Sequence, residues 1–290
     1  MAIVGFGMSI LSGQSMPGWW KYVPSDSTAI VGIRWQTAQS TLFAPAILDD
    51  LEQFQDWDLL PDTDRILIAS PSMLTIASGT FSQARLRQAT TTKGFRRETF
   101  ASVELWIAPD GGRPSIAIVS DKLLLIGPLS EIQVALNTKY RSPMLAHAAR
   151  YSEEDLWVVA SRLPDTLASR FIPMEIEATA FEGSVSAWDG LHLVAAIEQT
   201  TSARAEEFAD ELELALDAHP AMAVGTEIMT HARSALVRMD LDKRQLAAAL
   251  RLVVVAAAIA TPVEPTPASP RPTVKILGLS TGTREIQLGR

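Results

Sequence analysis

The chain has 290 residues, of which 47% are hydrophobic and 20% charged, and its formal net charge is −8. This composition supports a packed core and excludes an intrinsically disordered chain. The acidic balance disfavours nucleic acid as a partner, because its phosphates repel a negatively charged protein. There is no cysteine, so disulfides, thiolate metal sites and cysteine nucleophiles are excluded.

The N-terminal segment, residues 1–20, opens with an apolar stretch at 2–11 that is followed by small and polar residues. This order is typical of the hydrophobic part and the end of a signal peptide, although no basic residue precedes it. The alternative is an N-terminal element buried in the core. The stretch is too short to span a bilayer, which takes about 20 apolar residues. We favour an extracytoplasmic or membrane-attached location over a cytoplasmic one.

Three aromatic residues, Trp19, Trp20 and Tyr22, follow this segment, with Lys21 among them. Aromatic rings beside a lysine fit a membrane–water interface. They fit equally a strap that buries its rings against the edge of the domain, which is the commoner arrangement and the one we favour.

The first predicted unit covers residues 21–140. Runs of β-branched and apolar residues predict strands over 28–35, 65–70, 73–78, 100–108, 115–120 and 123–127. Apolar residues at helical spacing predict helices over 37–56, 81–93 and 130–140. Turn residues at 71–72 and 109–112 separate neighbouring strands, so the connections are hairpins.

The second predicted unit covers residues 141–260. The same patterns predict a strand over 156–161, a short helix over 164–171, a long hairpin from 176–188 and 191–199, a helix over 202–219, and a final hairpin from 235–240 and 245–254. The most apolar stretch, 246–260, contains Arg251 and falls short of a membrane span.

The order of strands and helices is similar in the two units. We therefore predict an α+β fold with mainly antiparallel sheets and helices packed on one face, organised as two duplicated ferredoxin-like units. The hairpin connections argue against a parallel nucleotide-binding sheet, which needs a crossover between successive strands.

The C-terminal part consists of a linker, 261–272, with five prolines, and a patterned segment, 273–290. The proline-rich linker is expected to be extended. The segment beyond it is too short to form a core of its own. We predict that it docks on a sheet edge by strand addition, on this molecule or on another. The apolar residues expected to dock are Val274, Ile276, Leu279, Ile286 and Leu288.

No catalytic motif is present in the sequence. The chain has neither a GxSxG motif nor a glycine-rich phosphate loop, and its four histidines (His147, His192, His219 and His231) are not at metal-ligand spacing. An acidic cluster over 49–64 is best explained as a solvated helix end and loop. We expect no cofactor and no metal.

A run of basic residues forms the opposite feature. Its members are Arg85, Arg87, Lys93, Arg96 and Arg97. They could contact an anionic partner such as lipid headgroups. The alternative, which we favour, is a solvent-facing helix that balances the acidic segment.

These observations lead to a hypothesis about function. We expect a non-enzymatic interaction or accessory protein of the bacterial cell envelope or of a membrane-associated complex, with a protein partner and with membrane surface as a second candidate partner. The alternative is a small-ligand-binding protein or carboxylate-based enzyme with a cleft between the two units, where residues such as Asp189 or Glu177 could act.

Overall fold

A computed structural model describes much of the chain. The described residues are 16–41, 44–51, 54, 57–109, 113–138, 141–161, 178–217, 220–246, 273–276 and 284–287. The chain divides into two compact units, Met1–Ala248 and Ala249–Arg290. Residues 1–15 and the predicted helix over 164–171 lie outside the described part.

The first unit is built on a 12-stranded antiparallel sheet. Its strands are β1 Ala29–Ile33, β2 Thr63–Ser70, β3 Leu74–Gly79, β4 Arg96–Phe100, β5 Val103–Ile107, β6 Ser115–Ser120, β7 Leu123–Gly127, β8 Leu156–Ala160, β9 Ala180–Ser186, β10 Gly190–Glu198, β11 Thr226–His231 and β12 Ser234–Asp242. The spatial order is β11-β12-β10-β9-β8-β1-β2-β3-β7-β6-β5-β4.

Short helices connect the strands. They are α1 Trp35–Ala38, α2 Ala44–Asp50, α3 Gln83–Thr92, α4 Leu129–Asn137, α5 Leu145–Ala148, α6 Ser202–Asp217 and α7 Pro220–Ala223, with 3₁₀ turns at Gly18–Tyr22, Leu60–Asp62 and Ala149–Tyr151. In the described part of the chain, no helix is both long enough and apolar enough to cross a bilayer.

The two halves of the sheet share an order of elements. Each half begins with three strands that pair in chain order, β1-β2-β3 in one half and β8-β9-β10 in the other. A helix follows, and the remaining strands run back from the sheet edge, so that the last strand of the half pairs with the third. The last strand is β7 beside β3 in one half and β12 beside β10 in the other. The halves meet where β1 pairs with β8, with Val31 opposite Val158.

The predicted fold class is confirmed: the chain is an α+β protein with a large antiparallel sheet. The finer description as ferredoxin-like units is not confirmed. Strand β1 pairs directly with β2, whereas a split βαβ unit places another strand between its first two. The boundary predicted near residue 140 does not interrupt the sheet, because β8 is hydrogen-bonded to β1.

Helices cover both faces of the central strands, which corrects the expectation of helices on one face. Successive side chains of a strand point to opposite faces. On β2, Ile66 belongs to a core cluster with Leu86 of α3, and Leu67 belongs to a second cluster with Ile132 of α4. Because the central strands carry apolar side chains on both faces, one layer of helices could not cover them.

Among the residues that the structure describes, the outer strands β9–β12 are covered by a helix on one face. Helix α6 packs Phe208 against Ala195 and Ile197 of β10 and Ala235 of β12. On the opposite face Val194 is 46% exposed. Strand β12 ends in alternating apolar and acidic residues, from Met239 to Asp242, as expected when one face meets solvent.

Two strands differ from the sequence prediction. The final hairpin is formed by β11 and β12, so β11 precedes the predicted strand 235–240, and residues 243–246 are helical where a strand was expected from 245. Of strand β4, only Phe100 falls within a predicted strand, the one over 100–108.

The second unit contains two short strands, β13 Thr273–Ile276 and β14 Arg284–Gln287. They pair with each other as an antiparallel two-stranded sheet, with Val274 opposite Ile286.

Candidate functional site

A group of polar and aromatic side chains lies where β1 meets β8. Gly32 of β1 is opposite Trp157 of β8, and the indole of Trp157 lies across the glycine. A Cβ at position 32 would lie 2.0 Å from the Trp157 ring, so only glycine leaves room for the ring. Trp20, which is 2% exposed, packs beside it with ring centroids 5.7 Å apart.

A buried carboxylate lies at the start of β8. The side chain of Asp155 is 5% exposed and accepts hydrogen bonds from Thr37 Oγ1 at 2.5 Å, from the Ala187 N–H at 3.0 Å and from Arg34 Nη2 at 3.2 Å. Burial alone would raise the pKa of Asp155, but these hydrogen bonds outweigh it and lower the pKa below its usual range. Asp155 is therefore a fixed anion that joins α1, β8 and β9.

Two arginines complete the group. Arg65 of β2 makes a bidentate ion pair with Glu153, whose shortest N–O distance is 3.1 Å, and donates to the Ser152 carbonyl at 3.0 Å. Arg34 lies 3.7 Å from the same Glu153 carboxylate. The two cations and two anions balance, so the group presents no net charge.

A small cavity opens among these residues. It has a volume of about 10 Å³ and is lined by Trp19, Trp20, Gly32, Ile33, Arg34, Arg65, Ile66, Ser152 and Trp157. The Trp20 Nε1–H on its wall has no hydrogen-bond partner. Its volume is that of about one water molecule. It offers donors to one small acceptor, and it holds no pair of groups for acid–base chemistry.

A second cavity is apolar. It has a volume of about 90 Å³ beside β8, β9 and β10 and is lined by Leu156, Trp157, Val158, Phe181, Gly183, Ser184, Val185, Leu193, Val194 and Ala195. Across the described part of the chain, no three His, Asp or Glu side chains are placed to hold a metal ion.

The predicted basic run is engaged in local contacts. Arg85 pairs with Asp62, Arg87 and Arg97 pair with Glu104 at 2.9 Å and 3.1 Å, Arg96 pairs with Glu98 at 2.8 Å, and the Lys93 ammonium lies 4.5 Å from the Trp57 ring centroid. Arg85 thus pairs with the acidic segment over 49–64, whereas Arg87, Arg96 and Arg97 pair with acidic residues of β4 and β5.

Glu104 is the centre of this arrangement. Burial would raise the pKa of Glu104, but hydrogen bonds from Arg87 and from Trp106 Nε1, with the charges of Arg87 and Arg97, lower it. The same contacts raise the pKa of Arg87.

The aromatic residues at 19–22 form a strap. Trp20 is buried against Trp157, and Trp19 and Tyr22 are half-buried against the same cluster. The ring of Trp20 therefore covers the apolar sheet face beneath it.

The histidines that are described lie in ion pairs or on an edge strand. His192 contacts Asp240 at 2.9 Å through Nδ1 and Asp189 at 2.8 Å through Nε2, and these hydrogen bonds raise its pKa. His147 contacts Glu182. His231 ends β11, and His219 lies outside the described residues. Asp189, suggested as a catalytic carboxylate, is thus an ion-pair partner, and Glu177 is outside the described part.

The predicted docking residues fall on and around the second sheet. Val274 and Ile276 are on β13 and Ile286 is on β14. Leu279 and Leu288 lie outside the described residues.

The comparisons with known proteins support the fold class alone. No family model matches the chain, and no curated protein matches it. Among solved structures, the chain is similar to TP0453 in its crystal form I, with a TM-score of 0.60 and 9% sequence identity, over 83% of this chain and 99% of that one. A likeness at this identity concerns the arrangement of strands and helices, and it transfers no residue role.

Sequence reasoning missed the group around Asp155. The signal was weak: Asp155 directly precedes a predicted strand, and Gly32 interrupts a run of β-branched residues, which often marks a close approach of another group. Neither observation identifies the partner, which lies more than a hundred positions away in sequence.

Proposed function

We propose that this chain is a non-enzymatic interaction protein, an accessory component of the bacterial cell envelope or of a membrane-associated complex, whose tail docks on a protein partner by strand addition. The observation that carries the proposal is the small sheet of β13 and β14, which has two strands of four residues each. An isolated two-stranded hairpin is marginally stable in water. Added to the edge of another sheet, it gains backbone hydrogen bonds and a covered face.

The character of the rest of the molecule is consistent with this proposal. The polar groups at the β1–β8 junction neutralise one another, and the basic residues near α3 are paired. The alternative, a small-ligand-binding protein or a carboxylate-based enzyme with a cleft between the halves, has less support. The halves meet through hydrogen-bonded strands, and the polar cavity at this junction has room for about one water. The larger cavity of about 90 Å³ beside β8, β9 and β10 is lined almost entirely by apolar side chains and contains no carboxylate.

Deletion of residues 261–290 tests the proposal. We expect the melting temperature to change by less than about 2 °C, because the sheet of the first unit keeps all its strands. We expect capture of the native partner from membrane extracts to be lost. A fall in melting temperature of more than about 5 °C would instead make the tail an intramolecular strand.

A matched pair of proline variants sharpens this test. Ile286→Pro removes a backbone N–H from β14 and should abolish capture. Ala268→Pro adds a proline to the proline-rich linker, where no strand is predicted, and should leave capture unchanged. Equal capture by the wild-type chain and both variants would refute docking by strand addition.

A further inference from the structure

The two edges of the large sheet differ in how they are protected. The edge strand β4 has five residues, of which Arg96, Arg97 and Glu98 are charged. Charged residues on an edge discourage pairing with another strand. The edge strand β11 has six residues with one carboxylate, Glu227, and its pairing with β12 runs without a bulge. In the part of the chain that the structure describes, no strand lies on its outer side.

The side chains of β11 divide between the two faces of the sheet. Residues that pair across strands share a face. Ile228 is opposite Val237, which packs against the cluster under α6, whereas Met229 is opposite Leu236 on the uncovered face. By alternation, Glu227 and His231 lie on the uncovered face with Met229.

We propose that β11 is a self-association edge, on which a second copy of this chain pairs antiparallel about a two-fold axis at Met229. An axis perpendicular to the sheet keeps α6 on the same face in both copies. In this register Met229 faces its own counterpart, and Glu227 of each copy faces His231 of the other. The exposed carboxylate and imidazole are thus paired twice, and an apolar residue lies at the centre.

The neighbouring symmetric register is less favourable. With the axis at Ile228, Glu227 faces a methionine and no charged or ionisable residue of β11 faces another. Charge complementarity therefore selects the axis at Met229 and a second copy as the occupant. The proposal does not depend on the tail or on its partner, and it predicts one continuous sheet across the dimer.

Charge exchange on β11 of the full chain tests this inference. Sedimentation velocity at pH 6 over about a hundredfold range of concentration gives the dimer dissociation constant. Glu227→Lys removes both carboxylates that face His231, and His231→Glu places two carboxylates opposite each other twice. Each variant should weaken the dimer about tenfold or more. The double variant restores opposite charges and should return the constant to within about threefold of wild type.

Two controls keep the test specific. The first is Thr99→Lys on the other edge strand, β4, which should leave the dimer dissociation constant unchanged. The second is a thermal melt of each variant, because Glu227 also lies opposite Arg238 in its own sheet and its replacement could affect folding. A chain that stays monomeric, or a double variant as weak as the single ones, overturns the proposal. Loss of the dimer on deletion of residues 261–290 also overturns it, since the tail would then occupy the edge. If deletion of residues 261–290 abolishes capture of the protein partner but leaves the dimer intact, the result bears on the proposed function and not on self-association.

Discussion

Replacing the buried carboxylate Asp155 by asparagine should destabilise the first unit by about 2–3 kcal/mol at pH 7. The substitution keeps the shape of the side chain but turns one acceptor oxygen into a donor. Thr37 and Arg34 both donate to Oδ1, and the Ala187 N–H donates to Oδ2. Whichever way the amide turns, one donor is left facing another donor, and a buried unsatisfied N–H costs about 1–3 kcal/mol. Loss of the charge beside Arg34 adds a smaller cost, because that arginine is 27% exposed and screened by solvent.

Urea unfolding of the wild-type chain and of Asp155→Asn gives this difference in the free energy of unfolding. The control is Glu153→Gln in the same network, where a side chain 56% exposed should cost less than about 1 kcal/mol. Because the folded pKa of Asp155 is lowered, its contribution is present above its unfolded pKa of about 3.9 and is lost as pH falls through the folded value. A cost equal to that of the control, or one that is unchanged in acid, would refute the reasoning.

Two further predictions concern other positions. Gly32→Ala places a methyl group against Trp157 and should lower the free energy of unfolding, measured with denaturant, by about 1–3 kcal/mol. Gly18→Ala is the control, because a methyl group there meets nothing within 4 Å and should cost much less. Equal costs for the two variants would contradict the close approach of Trp157 to Gly32. His192 has a raised pKa, so its ion pair stabilises the fold below its unfolded pKa of about 6.5, and this contribution is lost as pH rises through the folded value. Titration followed by NMR should show a lower pKa of His192 in Asp240→Asn than in wild type, and identical values would rule out the pairing.

Several inner strands could be predicted from the sequence because they are rich in buried apolar residues. The strands predicted over 115–120 and 123–127 agree with β6 and β7 to the residue. The helix predicted from 202 begins there, and it ends at Asp217. In these segments the spacing of the apolar residues matches the side chains that are buried, so the hydrophobic pattern predicts the element directly.

Both edge strands escaped prediction for a common reason. Strand β4 reads Arg-Arg-Glu-Thr-Phe, and β11 mixes Thr, Glu, Met and His. An edge strand is fixed by backbone hydrogen bonds to one neighbour and needs no apolar alternation of its own. The group around Asp155 escaped for a related reason, because its contacts join residues far apart in sequence, and a single sequence does not report such contacts.

The direct pairing of β1 with β8 has a consequence for the order of events during synthesis. Ser161, just beyond β8, donates to the carbonyl of Thr28, just before β1, across 133 positions of sequence. Closing so long a loop is entropically costly and slows folding. While the ribosome is still making the second half, β1 is the outer strand of a seven-stranded sheet, with an apolar edge open to other chains. The emergence of β8 closes this edge, so pausing before residue 156 is expected to favour aggregation of the nascent chain.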